Sequence, residues 1–298
     1  MHQISDIQKD TLSLVKLALA EDIGRGDMTS LGCLEPYPIK AKIIAKSDGV
    51  LSGVEAALLP FEIVDSANKV AFVKKNGGSF KCGDVIAEID GFNQTVLTTE
   101  RVALNFLAHL SGVASLTRKF VDKVKESGAK ARIIDTRKTI PGMRRLEKAA
   151  VLHGGGVNHR MGLYDMMLIK DNHIAAAGSI TKAMEFAREY LQTPEFRLQF
   201  DMKEEDVEIE IEITNEQQLK EAIDCGIKRL LLDNQTIDSL NKLAALAKEI
   251  DKKVKLEASG GVNLENVAQV AKTGVDFISI GALTHSAPAS DFSLEVID

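Results

Sequence analysis

The sequence predicts an α/β protein in two parts: a mixed α+β N-terminal domain, then a parallel-stranded α/β domain read as a barrel in preference to a doubly wound layer. Three observations carry this. The chain has 298 residues, enough for two domains or one large α/β unit. Its first hundred residues hold short β-branched runs separated by Gly, Asn and Asp turn signals. After Gly128 apolar runs alternate with amphipathic helical patterns through short connections, which is how a parallel sheet reads.

Taken in order, residues 11–21 carry apolar side chains at helical spacing and stop before Gly24. The runs AKIIAKSDGVLSG, KVAFVKK and DVIAEIDG are strands, with an amphipathic turn-helix expected over 53–64. A long helical stretch follows at 99–125, with an interruption expected at Ser111-Gly112 where the chain crosses between domains. Six further strands lie between 130 and 283: ARIIDTRK, MMLIKDNH, VEIEIEIT, RLLLDNQ, VKLEASGG and DFISIGAL. Helical patterns such as LKEAIDCG, SLNKLAALAKEI and NVAQVAKTG separate several of them. Polar residues follow the apolar run of four strands, at Thr136-Arg137-Lys138, Lys170-Asp171-Asn172, Asp233-Asn234 and Ser259-Gly260-Gly261, which is where barrels place active sites. The last two strands end in glycine loops, ASGGV and IGALT, a common seat for phosphate. These two features favour the barrel.

Composition removes several classes. With 45% hydrophobic and 27% charged residues, 22 Gly and 6 Pro, fibrous and disordered readings fail. Acidic residues exceed basic ones by 43 to 37, Trp is absent and Tyr numbers 3, so a general nucleic-acid surface is not expected. No apolar run approaches the ~18–20 residues that span a bilayer, and MHQISDIQKD has no cationic patch leading into an apolar stretch; the expectation is a cytoplasmic protein without membrane contact. Cys33, Cys82 and Cys225 form no CxxC pair and are expected to be reduced, buried or semi-buried thiols. There is no GxxxxGKS/T, no GxSxG and no HExxH, and the glycines at 154–156 do not make a dinucleotide fingerprint.

Charge is nevertheless concentrated. Between Lys130 and His173 nine Lys and Arg stand against four acids, a local basic field inside a chain of net charge −6. Such a field suits a small polyanion, because Arg forks grip carboxylates and phosphates while Lys acts as a point charge. Residues 144–148 are as well explained by a solvated helix face, but Arg137, Lys138 and Lys170 stand at strand ends. Alternation in VEIEIEIT sends Glu208, Glu210 and Glu212 to one side, with Glu212 nearest the C-terminal mouth, where LLLD also brings Asp233. Two acids at a phosphate-binding mouth suggest Mg²⁺ held through water and diphosphate oxygens, or capture of sugar hydroxyls. Glu208 is expected to face solvent. A competing reading makes Lys170 a Schiff-base lysine of a barrel aldolase, which accounts for the phosphate loops but leaves Arg137, His159 and Arg160 unexplained.

Taken together and in order, DTRKTIPGMR, GGGVNHRMGLYDMMLIKDNH, LLLDN, LEASGGV and ISIGALTHSA closely resemble the quinolinate phosphoribosyltransferase family, the carboxylating nicotinate-nucleotide diphosphorylases among type II phosphoribosyltransferases. The match continues upstream through EDIGRGDMTS, SDGVLSG and TERVALNFLAHLSG. The resemblance implies that quinolinate and phosphoribosyl diphosphate give nicotinate mononucleotide, diphosphate and CO₂, with Mg²⁺, in NAD biosynthesis. It implies an N-terminal α/β open sandwich over 1–112, completed by the C-terminal strand at 284–298, and an incomplete, seven-stranded-type α/β barrel over 113–283. Family members form homodimers or hexamers of dimers, with the arginine at Arg101 reaching into the partner's site.

By the same resemblance Arg137, His159, Arg160 and the partner's Arg101 grip the two carboxylates of quinolinate. Lys138 and Lys170 contact both substrates. Glu212 and Asp233 hold ribose hydroxyls and the metal, directly or through water, and Ser259, Gly260 and Gly281 take the 5′-phosphate. Related readings are a nicotinate-using transferase and the molybdate-operon paralogue. The chain departs from the family in a longer segment before VEIEIEIT, residues 191–206, expected as a surface excursion or an interface element; a spacing of 21 residues from Glu212 to Asp233 selects Glu212 over Glu210.

Overall fold

The structure, a computed structural model, describes residues 6–297; the first five residues of the MHQISDIQKD segment, and Asp298, lie outside the described residues. The elements run α1 (Asp6–Ile23), α2 (Met28–Cys33), β1 (Pro38–Ala45), β2 (Gly49–Val50), α3 (Val54–Val64), β3 (Lys69–Phe72), β4 (Ser79–Phe80), β5 (Val85–Phe92) and α4 (Asn93–Glu126). They continue β6 (Arg132–Ile134), α5 (Arg144–His153), β7 (Met167–Ile169), α6 (Asp171–Ala177), α7 (Ile180–Leu191), α8 (Pro194–Phe200), β8 (Ile209–Ile213), α9 (Glu216–Asp224) and β9 (Arg229–Asp233). The chain closes with α10 (Ile237–Ile250), β10 (Lys255–Ser259), α11 (Val267–Lys272), β11 (Phe277–Ser279), α12 (Ala282–His285) and β12 (Phe292–Val296). Among the described residues no helix is long and apolar enough to cross a membrane.

Two compact units result. The first comprises Met1–Arg118, Lys138–Gly156 and Ala282–Asp298. Its antiparallel sheet has the order β12-β1-β5-β3, so the C-terminal strand completes the N-terminal sheet, with Ile43 opposite Leu294 and Ala45 opposite Phe292. Alternation in PIKAKIIA buries Ile39, Ala41, Ile43 and Ala45, which join Phe61 of α3 and Leu104 and Leu107 of α4 in one core. β2 and β4 form a separate short ribbon.

The long helix is continuous, which corrects the expected interruption at Ser111-Gly112. Close approach explains these small residues. Buried Ser111 donates to the Ser52 carbonyl and accepts from the Ser52 N–H, and a Cβ on Gly112 would overlap the Pro288 carbonyl oxygen. The helical cost of glycine, about 1 kcal/mol relative to alanine, is accepted here for packing. The segment Lys138–Gly156, within the stretch expected to be barrel, packs with this unit: Glu147 Oε1 lies 2.8 Å from His109 Nε2, and Arg118 Nε donates to the Gly154 carbonyl at 2.9 Å. Cys33 and Cys82 are exposed and Cys225 half-buried, all as free thiols; the expectation of burial fails for two because Cys33 ends a short helix and Cys82 sits in the turn before β5.

The second unit comprises Lys119–Arg137 and Val157–Gly281. All six strands read from the sequence are present and parallel, in the order β6-β11-β10-β9-β8-β7. Beyond β6, Ile134 makes one further parallel bridge to Val157. Helix starts follow from side-chain caps: Ser179, Thr193, Asn215 and Thr236 each accept the N–H three residues on. Part of the long segment 191–206 is anchored as α8, with Phe196 buried edge-on to Tyr190 and tilted against Phe200.

Candidate active site

β6 ends at Ile134, and the following carboxylate organises the next segment. Asp135 is fully buried and its Oδ1 accepts the His159 N–H at 2.9 Å, while Val157 N–H donates to the Ile133 carbonyl. This brings NHR beside DTR. Arg137 and Arg160 are both half-buried, and the Arg160 guanidinium is lowered from its usual range first by burial and then by the charge of Arg137. Two like charges held together in partial burial have a use when an anion lies between them. Arg160 is braced by its Nη1, which donates to the Met166 carbonyl at 3.2 Å, and the turn beyond is closed by Asp165 accepting from the N–H groups of Met161 and Gly162.

On the neighbouring strands, register sets the acids. Leu168 lies opposite Glu210 and Ile169 opposite Ile211, so Lys170 follows β7 level with Glu212. Glu212 pairs with Leu231, two residues before Asp233. The Glu212 carboxyl is raised above its ordinary value by burial, then by the charges of Asp233 and Asp171, with Lys170 opposing. Glu212, Asp233, Asp171 and Lys170 therefore form one electrostatic group. Lys170 itself is exposed, and its backbone N–H donates to His173 Nδ1 at 2.9 Å.

Asp233 lies opposite Ser259 and Ser259 opposite Ser279, which aligns the ends of β9, β10 and β11. Asn234 adopts a left-handed conformation (φ 50°) and donates its N–H to the Ser259 carbonyl at 2.8 Å. Gly260 also has positive φ (92°), and a Cβ there would overlap Asn234 Oδ1, so this loop requires glycine. Ser259, Gly260, Gly261, Asn234 and Asn266 share a cleft of ≈ 330 Å³. Gly281 is half-buried just after β11.

His159 is placed differently from the arginines. Its side chain is 7% exposed, and Nε2 lies 3.0 Å from Glu210 Oε2 and 3.4 Å from Glu257 Oε2. Both acids are buried. Arg229 completes the group, its Nε 3.2 Å from Glu210 Oε1 and Nη2 3.0 Å from Glu257 Oε2, with its guanidinium 4.8 Å from the Phe277 ring centre. Burial opposes charge on His159, but the neighbouring Glu210 and Glu257 carboxylates outweigh it and push the imidazole up to about 9. The Arg160 N–H donates to Nδ1 at 2.7 Å, an acceptor only in the neutral ring, so this bond opposes the carboxylates' pull toward charge and places the ring proton on Nε2. His159, Glu210 and Glu257 have metal-ligand types within 4.8 Å of one another. Arg229 already supplies the positive charge these carboxylates need, so the geometry is that of an ion-pair group.

Arg229 and Glu257 are the residues sequence reasoning missed, and Glu210 is the one it weighed and passed over for Glu212. Their signal is an acid or base two or four positions before each mouth residue, on the same strand face as Glu212, Asp233 and Ser259. In the first unit, Lys138 is exposed and its carbonyl accepts from Thr284 Oγ1 at 2.7 Å. Arg101 projects from α4, 63% exposed, with Nη2 3.7 Å from Glu100. Around it Val102, Leu104 and Phe106 are buried within the chain itself.

Comparison with known proteins agrees with this arrangement. Residues 27–111 match the family model described as Quinolinate phosphoribosyl transferase, N-terminal domain, and residues 113–295 match the corresponding C-terminal domain. A Bacillus subtilis (strain 168) protein named “Probable nicotinate-nucleotide pyrophosphorylase (carboxylating)” is 42% identical over 276 residues, covering 93% of this chain and 90% of the relative. The chloroplastic nicotinate-nucleotide pyrophosphorylase (carboxylating) of Arabidopsis thaliana is 38% identical over 302 residues, covering 96% and 83%. The solved nicotinate-nucleotide pyrophosphorylase from Francisella tularensis superposes with a TM-score of 0.89 at 35% identity, covering 100% of each chain. With both halves matched by the family's own domains and the arginine, acid and glycine-loop segments brought to the same strand ends, the chain belongs to the quinolinate phosphoribosyltransferase family.

Proposed function

We propose that the chain transfers the phosphoribosyl group of phosphoribosyl diphosphate to quinolinate and releases CO₂, forming nicotinate mononucleotide for NAD biosynthesis. The observation that carries this is the Arg137–Arg160 pair, two half-buried guanidiniums whose charges act on one another. A pyridine with adjacent carboxylates matches such a pair; one carboxylate would leave it underused.

In the reaction the pyridine nitrogen bonds to C1 of the ribose as the C1–O bond to diphosphate breaks, its electron pair leaving with the diphosphate. The demand is orientation and charge stabilisation, and the residues are mostly fixed cations with two acids. Lys138 and Lys170 offset the charge that grows on diphosphate, Glu212 and Asp233 orient the ribose hydroxyls, and Ser259, Gly260 and Gly281 seat the 5′-phosphate. The ribosylated nitrogen is cationic and stabilises the electron pair left at C2 when the carboxylate departs as CO₂, and C2 takes up a proton in its place. Arg137 and Arg160 hold the ring throughout.

The acids also fit Mg²⁺. Glu212 is raised by burial and then by the neighbouring charges of Asp233 and Asp171; a divalent cation relieves the repulsion among these acids, and hard carboxylate oxygens are its preferred donors. Glu212 and Asp233 would hold it, with water and diphosphate oxygens in the other positions. Bound there, it would add positive charge against the diphosphate. The site is completed by Arg101 of the partner in a homodimer.

The deciding experiment is quinolinate consumption with phosphoribosyl diphosphate and Mg²⁺, with nicotinate as control. Binding is expected to discriminate strongly against nicotinate, because a missing carboxylate leaves arginine charge unpaired at ~1–3 kcal/mol per group. Calorimetry giving equal affinities for the two pyridines overturns the substrate assignment. The aldolase reading asks for a desolvated lysine, whereas Lys170 is exposed; borohydride trapping with a sugar phosphate is expected to label nothing. Glu208 bonds Arg229 from a 55% exposed position, so Glu208→Gln should leave kcat within a few-fold. An inactive Glu208→Gln beside an active Glu212→Gln would reverse the roles of these acids.

A further inference from the structure

We infer that His159 is a positioning residue, clamped by Glu210, Glu257 and Arg229, and that what it positions is Arg160. This rests on the reading that Arg160 binds quinolinate, and it withdraws His159 from direct contact with that substrate. The geometry is specific. Nε2 lies at ion-pair distance from two buried carboxylates, 3.0 Å from Oε2 of Glu210 and 3.4 Å from Oε2 of Glu257. Nδ1 receives the N–H of Arg160 at 2.7 Å, and the His159 N–H is itself taken by buried Asp135. The imidazole thus links a fixed anionic group on β8 and β10 to the backbone amide from which the Arg160 side chain springs.

Arg229 makes the clamp stable. Two buried carboxylates would repel one another, but its guanidinium bonds both, from β9 between them in sheet order. Three adjacent parallel strands contribute one charged group each, so the imidazole's position is set by the sheet. A guanidinium that must meet a planar carboxylate needs its backbone fixed to within about 0.5 Å, and supporting groups of this kind commonly change affinity 10–100-fold when removed.

The test is a double-mutant cycle on quinolinate binding, measured by calorimetry on the full chain. His159→Asn and Glu257→Gln are each expected to weaken quinolinate about tenfold and, together, no more than either alone, because both cut the same link. The KM for phosphoribosyl diphosphate should stay within about twofold of wild type. Losses that multiply to about a hundredfold in the double variant, or a Glu257→Gln protein with wild-type quinolinate affinity, overturn the clamp.

Should a variant fail to fold, nitrogen NMR of histidine in the wild-type chain decides. His159 is expected to keep its proton on Nε2 when quinolinate is added, whereas a direct contact would exchange the partner of a ring nitrogen and change that pattern. If the wild-type chain neither binds nor consumes quinolinate, the substrate reading fails by itself; the clamp is then read in the free protein, where Nε2 must carry its proton. A free wild-type ring protonated only on Nδ1 would overturn it.

Discussion

Replacing Lys138 by alanine is expected to lower kcat for phosphoribosyl transfer at least ~10²-fold, the loss typical when a group aimed at developing charge is removed. The backbone around this lysine is fixed while its side chain is exposed. Thr284 Oγ1 donates to its carbonyl, and the N–H of Ile140 donates to Glu147 Oε2 at 3.1 Å. Glu147 is fully buried and its other oxygen pairs with His109 on α4. The loop is thus pinned at two points, and a cationic tip on a pinned loop can meet departing diphosphate with little reorganisation. Because the side chain is exposed, Lys138→Ala should melt at the wild-type temperature, which separates a catalytic loss from a folding one. Turnover near wild type removes Lys138 from the mechanism.

The contrast between what the sequence disclosed and what it concealed follows from range. Strands β6 to β11 were legible because burial on both faces writes local apolar runs, as in RLLLD, and the mouth residues follow those runs directly. The ion-pair group was hidden because it depends on register. Glu210 lies directly opposite Arg229, and nothing within either strand states that pairing. Alternation did place Glu208, Glu210 and Glu212 on one side. It could not reveal that the three sit at graded depth, Glu208 exposed, Glu210 fully buried and Glu212 between them. Ser111-Gly112 misled for a related reason: small residues in a helix resemble a break until the Pro288 backbone against them is seen. The residue types of the arginine pair were legible from charge density alone, while their juxtaposition required the Asp135 link between β6 and NHR.

Mixing two inactive variants, Arg101→Ala and Lys138→Ala, and allowing subunits to exchange is expected to restore about a quarter of wild-type activity. The apolar residues beside Arg101 do not demand a partner, since Val102, Leu104 and Phe106 are already buried within this chain. Arg101 itself is 63% exposed, and its ion pair with Glu100 spans 3.7 Å, long for a bond that would hold a guanidinium in place. In a homodimer whose sites borrow this arginine, a hybrid contains one site that lacks both Arg101 and Lys138 and one that has both. Random exchange makes about half the dimers hybrids, each with one working site of two, hence the quarter. Each variant incubated alone sets the baseline, and native mass spectrometry reports the extent of exchange. Activity that fails to return although hybrids are present means that Arg101 serves its own chain, and the shared site is then excluded.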